Sequence, residues 1–163
     1  MRILGIDPGL KITGYAALDA DDGVLHLVEA GAISTRESDS MEKRLSELYS
    51  GLCSVISALK PDTAAVEELY SHYAHPRTAI LMGHARGVIF LAAGENDIEI
   101  ASYSATRVKK SFTGNGHASK LQVGRMAQQI FGLNQPPTPN DVSDAIAVAA
   151  CHALVCGRTQ IKA

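Results

Sequence analysis

The apolar positions of the chain divide it into a succession of short strands and longer helices. Residues 2–7, RILGID, form a nearly continuous apolar run that stops on an aspartate. The runs from Ile12 to Ala20 and from Gly23 to Ser34 read as two further strands joined by Asp21-Asp22-Gly23, a hairpin signal of the Asp-Gly type. Met41, Leu45, Leu48, Leu52, Val55, Ile56 and Leu59 then recur at spacings of three and four, which predicts an amphipathic helix. Asp39 and Glu42 suit a capping box at its start, and Lys60-Pro61 stops it. TAAVEEL follows, a strand of small and apolar residues running into Glu67-Glu68. Pro76 opens and Gly94 closes a helix that is apolar over most of its circumference. Ile98 to Ser102 reads as a strand, with helices near 104–112 and 118–131 on either side of Gly114-Asn115-Gly116. A last helix runs from about Pro139 to about Val155.

This order predicts an α/β architecture, with a mixed five-stranded sheet flanked by helices. No repeat, linker or low-complexity segment interrupts it, and 163 residues suffice to bury one core, so residues 1–163 are expected to form a single domain. Gly83 and Gly87 stand one turn apart on the apolar helix and allow another backbone to approach closely, either this domain's sheet or a partner chain.

Composition narrows the class without fixing it. The longest apolar run, Val88 to Ala93, is far too short to span a bilayer, and no amino-terminal signal pattern is visible. Three cysteines, poorly spaced for disulfides or zinc, suit a reducing cytoplasm. The net charge of −2 hides a strong asymmetry: residues 1–100 carry fifteen acids and eight bases, whereas residues 101–140 carry five bases and no acid. Such a split is the footprint of a polyanion partner.

The acids at element ends carry the chemistry. Asp7 ends the first strand, and Glu67 or Glu68, on opposite faces, ends the fourth; sites in mixed α/β sheets gather beyond such ends. Gly5 and Ala65 share the faces of Asp7 and Glu67, and both are small enough to leave space beside the carboxylates. In TPNDVSDAIAVAA, Thr138 is placed to cap, with Pro139 at the first helical position and Asp141 at the third, so capping alone would account for Asp141. Asp144 lies on the same helix face and opens an apolar run, with no cationic partner evident. Four carboxylates so placed favour a site for a hard divalent cation, which takes oxygen ligands and binds beside substrate phosphate. Two such ions clamp a phosphodiester, one activating water and the other stabilising the leaving oxygen.

GIDPG, AVEELY, GHARGV, RVKKSFTGNGHASK and NDVSDAIAVA together resemble the RuvC family of Holliday junction resolvases, in order over nearly the whole chain. The resemblance implies an RNase H-like fold and a homodimer that nicks two opposing strands of a four-way DNA junction with Mg²⁺ or Mn²⁺, two ions per site. It implies 5′-phosphate and 3′-hydroxyl ends, a role in recombination and repair, and a branch-migration complex of RuvA and RuvB as partner. It places the catalytic and metal-binding carboxylates at Asp7, Glu67, Asp141 and Asp144, with Asp141 the most replaceable. It puts an aromatic near the strand exchange point at Tyr70 and DNA-handling lysines at Lys109 and Lys120. Tyr70 follows the fourth strand, where its ring is placed either to stack on an unpaired base or to pack its own loop. Lys109 and Lys120 belong to the acid-free segment and suit phosphate contacts, as do Arg77, Arg107 and Lys110. DNA binding that depends on metal and weakens steeply with salt is expected.

Two rival readings remain at this level. GIDPG also occurs in sugar-kinase-like ATPases, although those need a second domain and no Walker motif is present. A module that recognises junctions without cutting them is the other.

Overall fold

The computed structural model describes residues 1–69 and 76–157, and for Pro76 and Arg77 the backbone alone. Tyr70 and the Arg77 side chain therefore lie outside the described residues. Five strands and five helices follow the anticipated order: β1 (Arg2–Asp7), β2 (Ile12–Asp21), β3 (Val24–Ser34), α1 (Met41–Leu59), β4 (Thr63–Glu67), α2 (Pro76–Gly94), β5 (Ile100–Tyr103), α3 (Ala105–Thr113), α4 (Lys120–Phe131) and α5 (Asn140–Val155). The strands form one sheet in the order β3-β2-β1-β4-β5. β1 pairs antiparallel with β2 and parallel with β4, and β5 joins β4 in parallel, so the sheet is mixed with β1 at its centre.

A central strand must be apolar on both faces, and β1 is. Ile3, Ala16, Leu18 and Ala65 pack with Val108 and Phe112 of α3, Val123 of α4 and Ile146 of α5. Leu4, Ile6, Ala17, Ala64 and Val66 pack on the other face against Leu48 and Leu52 of α1 and Ile89 of α2. The two-residue period of β1 and β4 thus carries Asp7 and Glu67 to the side covered by α5.

The space beside Asp7 has a different origin from the one its neighbour suggests. A Cβ on Gly5 would lie 2.2 Å from the Ala145 carbonyl oxygen and 2.6 Å from the Ala149 nitrogen. Gly5 therefore leaves no open volume; it lets α5 press directly onto the sheet. Gly14, the cross-strand partner of Asp7, does the same one step further along, where a Cβ would stand 1.9 Å from the Asp141 carbonyl oxygen. The alanine-rich face of α5 completes the fit, with Ala145, Ala149 and Ala150 fully buried.

Three element boundaries differ from the sequence-based expectation, each for a local reason. β5 begins at Ile100, because Asp97 adopts a left-handed φ of 55° and Ile98 donates back to the Ala93 carbonyl, prolonging the turn after α2. Ser40, not Asp39, stands at the N-cap of α1, with no side-chain bond to the first turn, and Asp39 is held by Lys43 at 2.8 Å. α5 starts at Asn140 with Pro139 as its N-cap, and no side chain bonds the first turn. Asp141 thus stands at the second helical position and forms no capping box, so capping does not explain it.

α2 turns Ala85, Ile89, Ala92 and Ala93 inward and leaves Ile80, Phe90 and Leu91 exposed. A Cβ on Gly83 or Gly87 would meet nothing within 4 Å, so this glycine pair makes no close contact with the domain's own sheet. No helix among the described residues is long and apolar enough to cross a membrane. Cys53, Cys151 and Cys156 are free thiols.

Candidate active site

Asp7, Glu67, Asp141, Asp144, Lys109 and Lys120 line one cavity of about 490 Å³. Each comes from an element end that the fold fixes. Asp7 closes the central strand, Glu67 closes β4 beside it, and Asp141 and Asp144 occupy the start of α5, where the helix dipole favours negative charge. Lys120 is the first residue of α4, and Lys109 projects from α3. Of the adjacent pair at the end of β4, Glu67 lines the cavity and Glu68 is exposed outside it.

Asp144 does have a cationic partner. Lys120 Nζ stands 3.5 Å from Asp144 Oδ2, with the lysine largely exposed and the aspartate 13% exposed. The partner comes from upstream in the chain, through the packing of α4 on α5.

The electrostatics show a pocket short of positive charge. Burial pushes the Asp7 carboxyl well above the ordinary carboxylate range, and Glu67, Asp144 and Asp141 push it further, with Lys120 opposing. Burial, then Asp144, raises Glu67 to about 7, against Lys109 and Lys120. Asp144 is raised by burial, in spite of its contact with Lys120. Burial alone would lower Lys120, but Asp144, Asp141 and Asp7 more than offset it and leave its pKa raised. Lys11 and Glu37, also in the lining, pair with each other at 3.3 Å, so Asp7, Glu67, Asp141 and Asp144 face Lys109, Lys120 and Arg44. Like charge and burial together hold up the affinity of Asp7, Glu67 and Asp144 for protons.

An all-oxygen set of carboxylates in a partly buried cavity fits a hard divalent cation, and the raised acids show that additional positive charge would be stabilising there. Among the described residues no group of three or more His, Cys, Asp or Glu side chains is arranged to hold an ion as it stands. The acids share a cavity without sharing a coordination shell, as expected where they repel one another and Lys120 draws Asp144 aside.

This charge pattern sets a pH dependence of stability. An acid whose pKa is higher in the fold than in the unfolded chain destabilises the fold once ionised. For Glu67 that effect is absent below its unfolded value near 4.5 and complete above about 7. The corresponding loss is of the order of 3 kcal/mol. Thermal unfolding without divalent metal is therefore expected to show Tm falling from pH 5 to pH 8, and added Mg²⁺ to reverse the fall at the alkaline end. A flat metal-free Tm over that range would contradict this balance of charges.

Two of the cationic candidates do not reach the cavity. Arg107 lies with its guanidinium carbon 5.2 Å from the centre of the Tyr103 ring, and Lys110 is exposed elsewhere on α3. His152 is buried and bonded to the Tyr103 hydroxyl at 2.8 Å, a structural arrangement. Sequence reasoning missed Arg44, which also lines the cavity. Its Nε donates to Thr35 Oγ1 at 3.0 Å, and it is 8% exposed. The available signal was its place in the apolar stripe of α1, four residues before Leu48, where a charged side chain wants a reason.

A family model described as crossover junction endodeoxyribonuclease RuvC matches residues 3–152. The chain is 49% identical to the protein of that name from Rhodopirellula baltica over 149 residues, covering 91% of this chain and 84% of the relative. It is 44% identical to the Caldicellulosiruptor saccharolyticus protein over 155 residues, covering 94% and 93%. Among solved structures, Thermus thermophilus RuvC in complex with a Holliday junction substrate superposes with a TM-score of 0.89 at 28% identity, over 98% of each chain.

Proposed function

The chain belongs to the RuvC family of crossover junction endodeoxyribonucleases, and from that premise we infer that it is a structure-selective, metal-dependent endonuclease that resolves Holliday junctions. The observation that carries the chemistry is the meeting of Asp7, Glu67, Asp141 and Asp144 in one cavity flanked by Lys109 and Lys120. Family membership removes the ATPase reading suggested by GIDPG.

These four carboxylates are the residues that would hold the metal, Mg²⁺ or Mn²⁺, as two ions per site. Asp7, on the central strand, would serve both ions; Glu67 and Asp144 would each hold one, and Asp141 would assist. When bound, the metal activates water and neutralises charge on the phosphate. The protein's own part is to orient and to bind. Its strand ends and the start of α5 fix the oxygen donors. Lys109 and Lys120 offer cationic heads to DNA phosphates, contacts that position DNA without reading its sequence. Arg77, Arg107 and Lys110 would add DNA contacts outside the cavity, and Tyr70 would stack on a base near the crossover. Cleavage leaves 5′-phosphate and 3′-hydroxyl ends, which suits religation in recombination and repair.

We further propose a single nuclease domain over residues 1–163 that works as a homodimer in the cytoplasm, with RuvA and RuvB as its branch-migration partners. The exposed Ile80, Phe90 and Leu91, with the open Gly83 and Gly87, make α2 the natural face for a second copy. A synthetic four-way junction and a matching linear duplex, each with and without Mg²⁺, test the whole reading. Metal-dependent nicks paired symmetrically across the junction, with the duplex intact, are expected. Equal cutting of both substrates would refute structure selectivity, and single unpaired nicks would refute the dimer.

A further inference from the structure

Arg86 spends its donors in an unusual place for a partly buried arginine. From the third turn of α2, its Nη1 donates to the main-chain carbonyl of Glu67, and its Nη2 donates to Ser102 Oγ at 2.8 Å. The guanidinium carbon lies 4.8 Å from the centre of the Phe90 ring one turn on. Among the described residues Arg86 forms no ion pair within 4 Å; Glu68 acts on it at longer range, and its direct contacts are to a backbone carbonyl and a hydroxyl oxygen.

The place that it grips is where the sheet stops supporting β4. Pairing with β1 ends at Val66, opposite Ile6, and on the other side Glu67 pairs with Tyr103 while Glu68 N donates to the Tyr103 carbonyl. Glu67 is thus the last strand residue, without a β1 partner of its own, and it carries a carboxylate into the cavity. Arg86 ties this free end to β5 through Ser102 and to the body of α2.

We propose that Arg86 is a positioning residue for Glu67, a clamp that fixes the end of β4 so that the carboxylate faces the cavity in one orientation. This rests on the reading of Glu67 as a functional ligand of the site. Because the clamp belongs to α2, a shift of that helix is transmitted to Glu67 directly. The effect is on geometry and not on charge, since the contact is to the main chain.

Arg86→Met removes both donors and keeps much of the side-chain volume. It is expected to lower kcat on a four-way junction about 10- to 100-fold, the scale of a misplacement near 1 Å. Junction affinity under non-cleaving conditions should be unchanged, and calorimetric titration with Mn²⁺ should show weaker binding. Arg86→Lys keeps a donor that can reach the Glu67 carbonyl and should restore much of both. A general structural role would instead lower Tm, junction binding and rate together. If Arg86→Met does not fold, Ser102→Ala decides. A fewfold loss of kcat with weaker Mn²⁺ binding supports the clamp, and wild-type values of both overturn it. Glu67→Gln separates the two levels: if it cuts normally, the reading of Glu67 fails. If it is inactive while Arg86→Met matches the wild type in rate and Mn²⁺ affinity, the clamp fails.

Discussion

Asp7→Asn is expected to abolish junction cleavage, by about a thousandfold or more, while leaving junction binding intact. The change removes one oxygen's charge from the centre of the cavity and keeps its shape. Metal-linked charge stabilisation is worth several kcal/mol, and each 1.4 kcal/mol is a factor of ten in rate, which gives about 10³. The same substitution should raise the thermal stability of the metal-free protein at pH 8. Asp7 is held far above the usual carboxylate range by burial and by Glu67, Asp144 and Asp141, so its ionised form works against folding there. Loss of activity with gain of stability is the signature of a residue kept for function. A variant that is inactive and also less stable would point to a structural aspartate, and an active one would end the assignment. A module that recognises junctions without cutting them would show no change at all.

Gly14→Ala should be nearly as severe, from a position that carries no functional group. Its Cβ would fall 1.9 Å from the Asp141 carbonyl oxygen, 2.3 Å from the Asp141 carbonyl carbon and 3.0 Å from Val142 N. All three are main-chain atoms at the start of α5, so no rotamer change relieves the contact and the helix itself must retreat. Overpacking of this kind costs about 1–3 kcal/mol and sometimes more. The retreat carries Asp141 and Asp144 away from Asp7, and a shift near 1 Å is worth about a hundredfold in rate. Thermal melts and cleavage assays on the same preparation would show both losses. Wild-type cleavage by a folded Gly14→Ala protein would mean that the seating of α5 does not set the site.

The glycines mark the limit of what the sequence disclosed. Apolar runs, breakers and the three-and-four spacing of α1 were enough to give the order of strands and helices, although not every boundary. They were enough to bring Asp7 and Glu67 to strand ends and Asp141 and Asp144 to one helix face. Gly5 beside Asp7, however, reads equally as open space or as close packing, and only the position of α5 tells these apart. Lys120 as the partner of Asp144 depends on how α4 packs against α5, which spacing along the chain does not encode. The start of α5 was misplaced by one residue, because Pro139 is acceptable both as an N-cap and as a first helical residue. Arg86 was legible only as one letter of a motif. Its contact with a main-chain oxygen leaves no trace in residue type.

The central placement of β1 has a further consequence for how the protein breathes. Its amides are bonded to β2 on one side and β4 on the other, with α5 pressed on one face and α1 and α2 covering the other. Such a strand exchanges its hydrogens with solvent only when the entire domain opens, whereas the end of β4 stands next to a four-residue border strand and depends on Arg86 to keep from fraying. The acids of the pocket therefore sit just past the longest-lived part of the molecule: Ile6, partnered on both sides, gives way only with the fold, and Asp7 one residue on keeps β2 as its sheet partner.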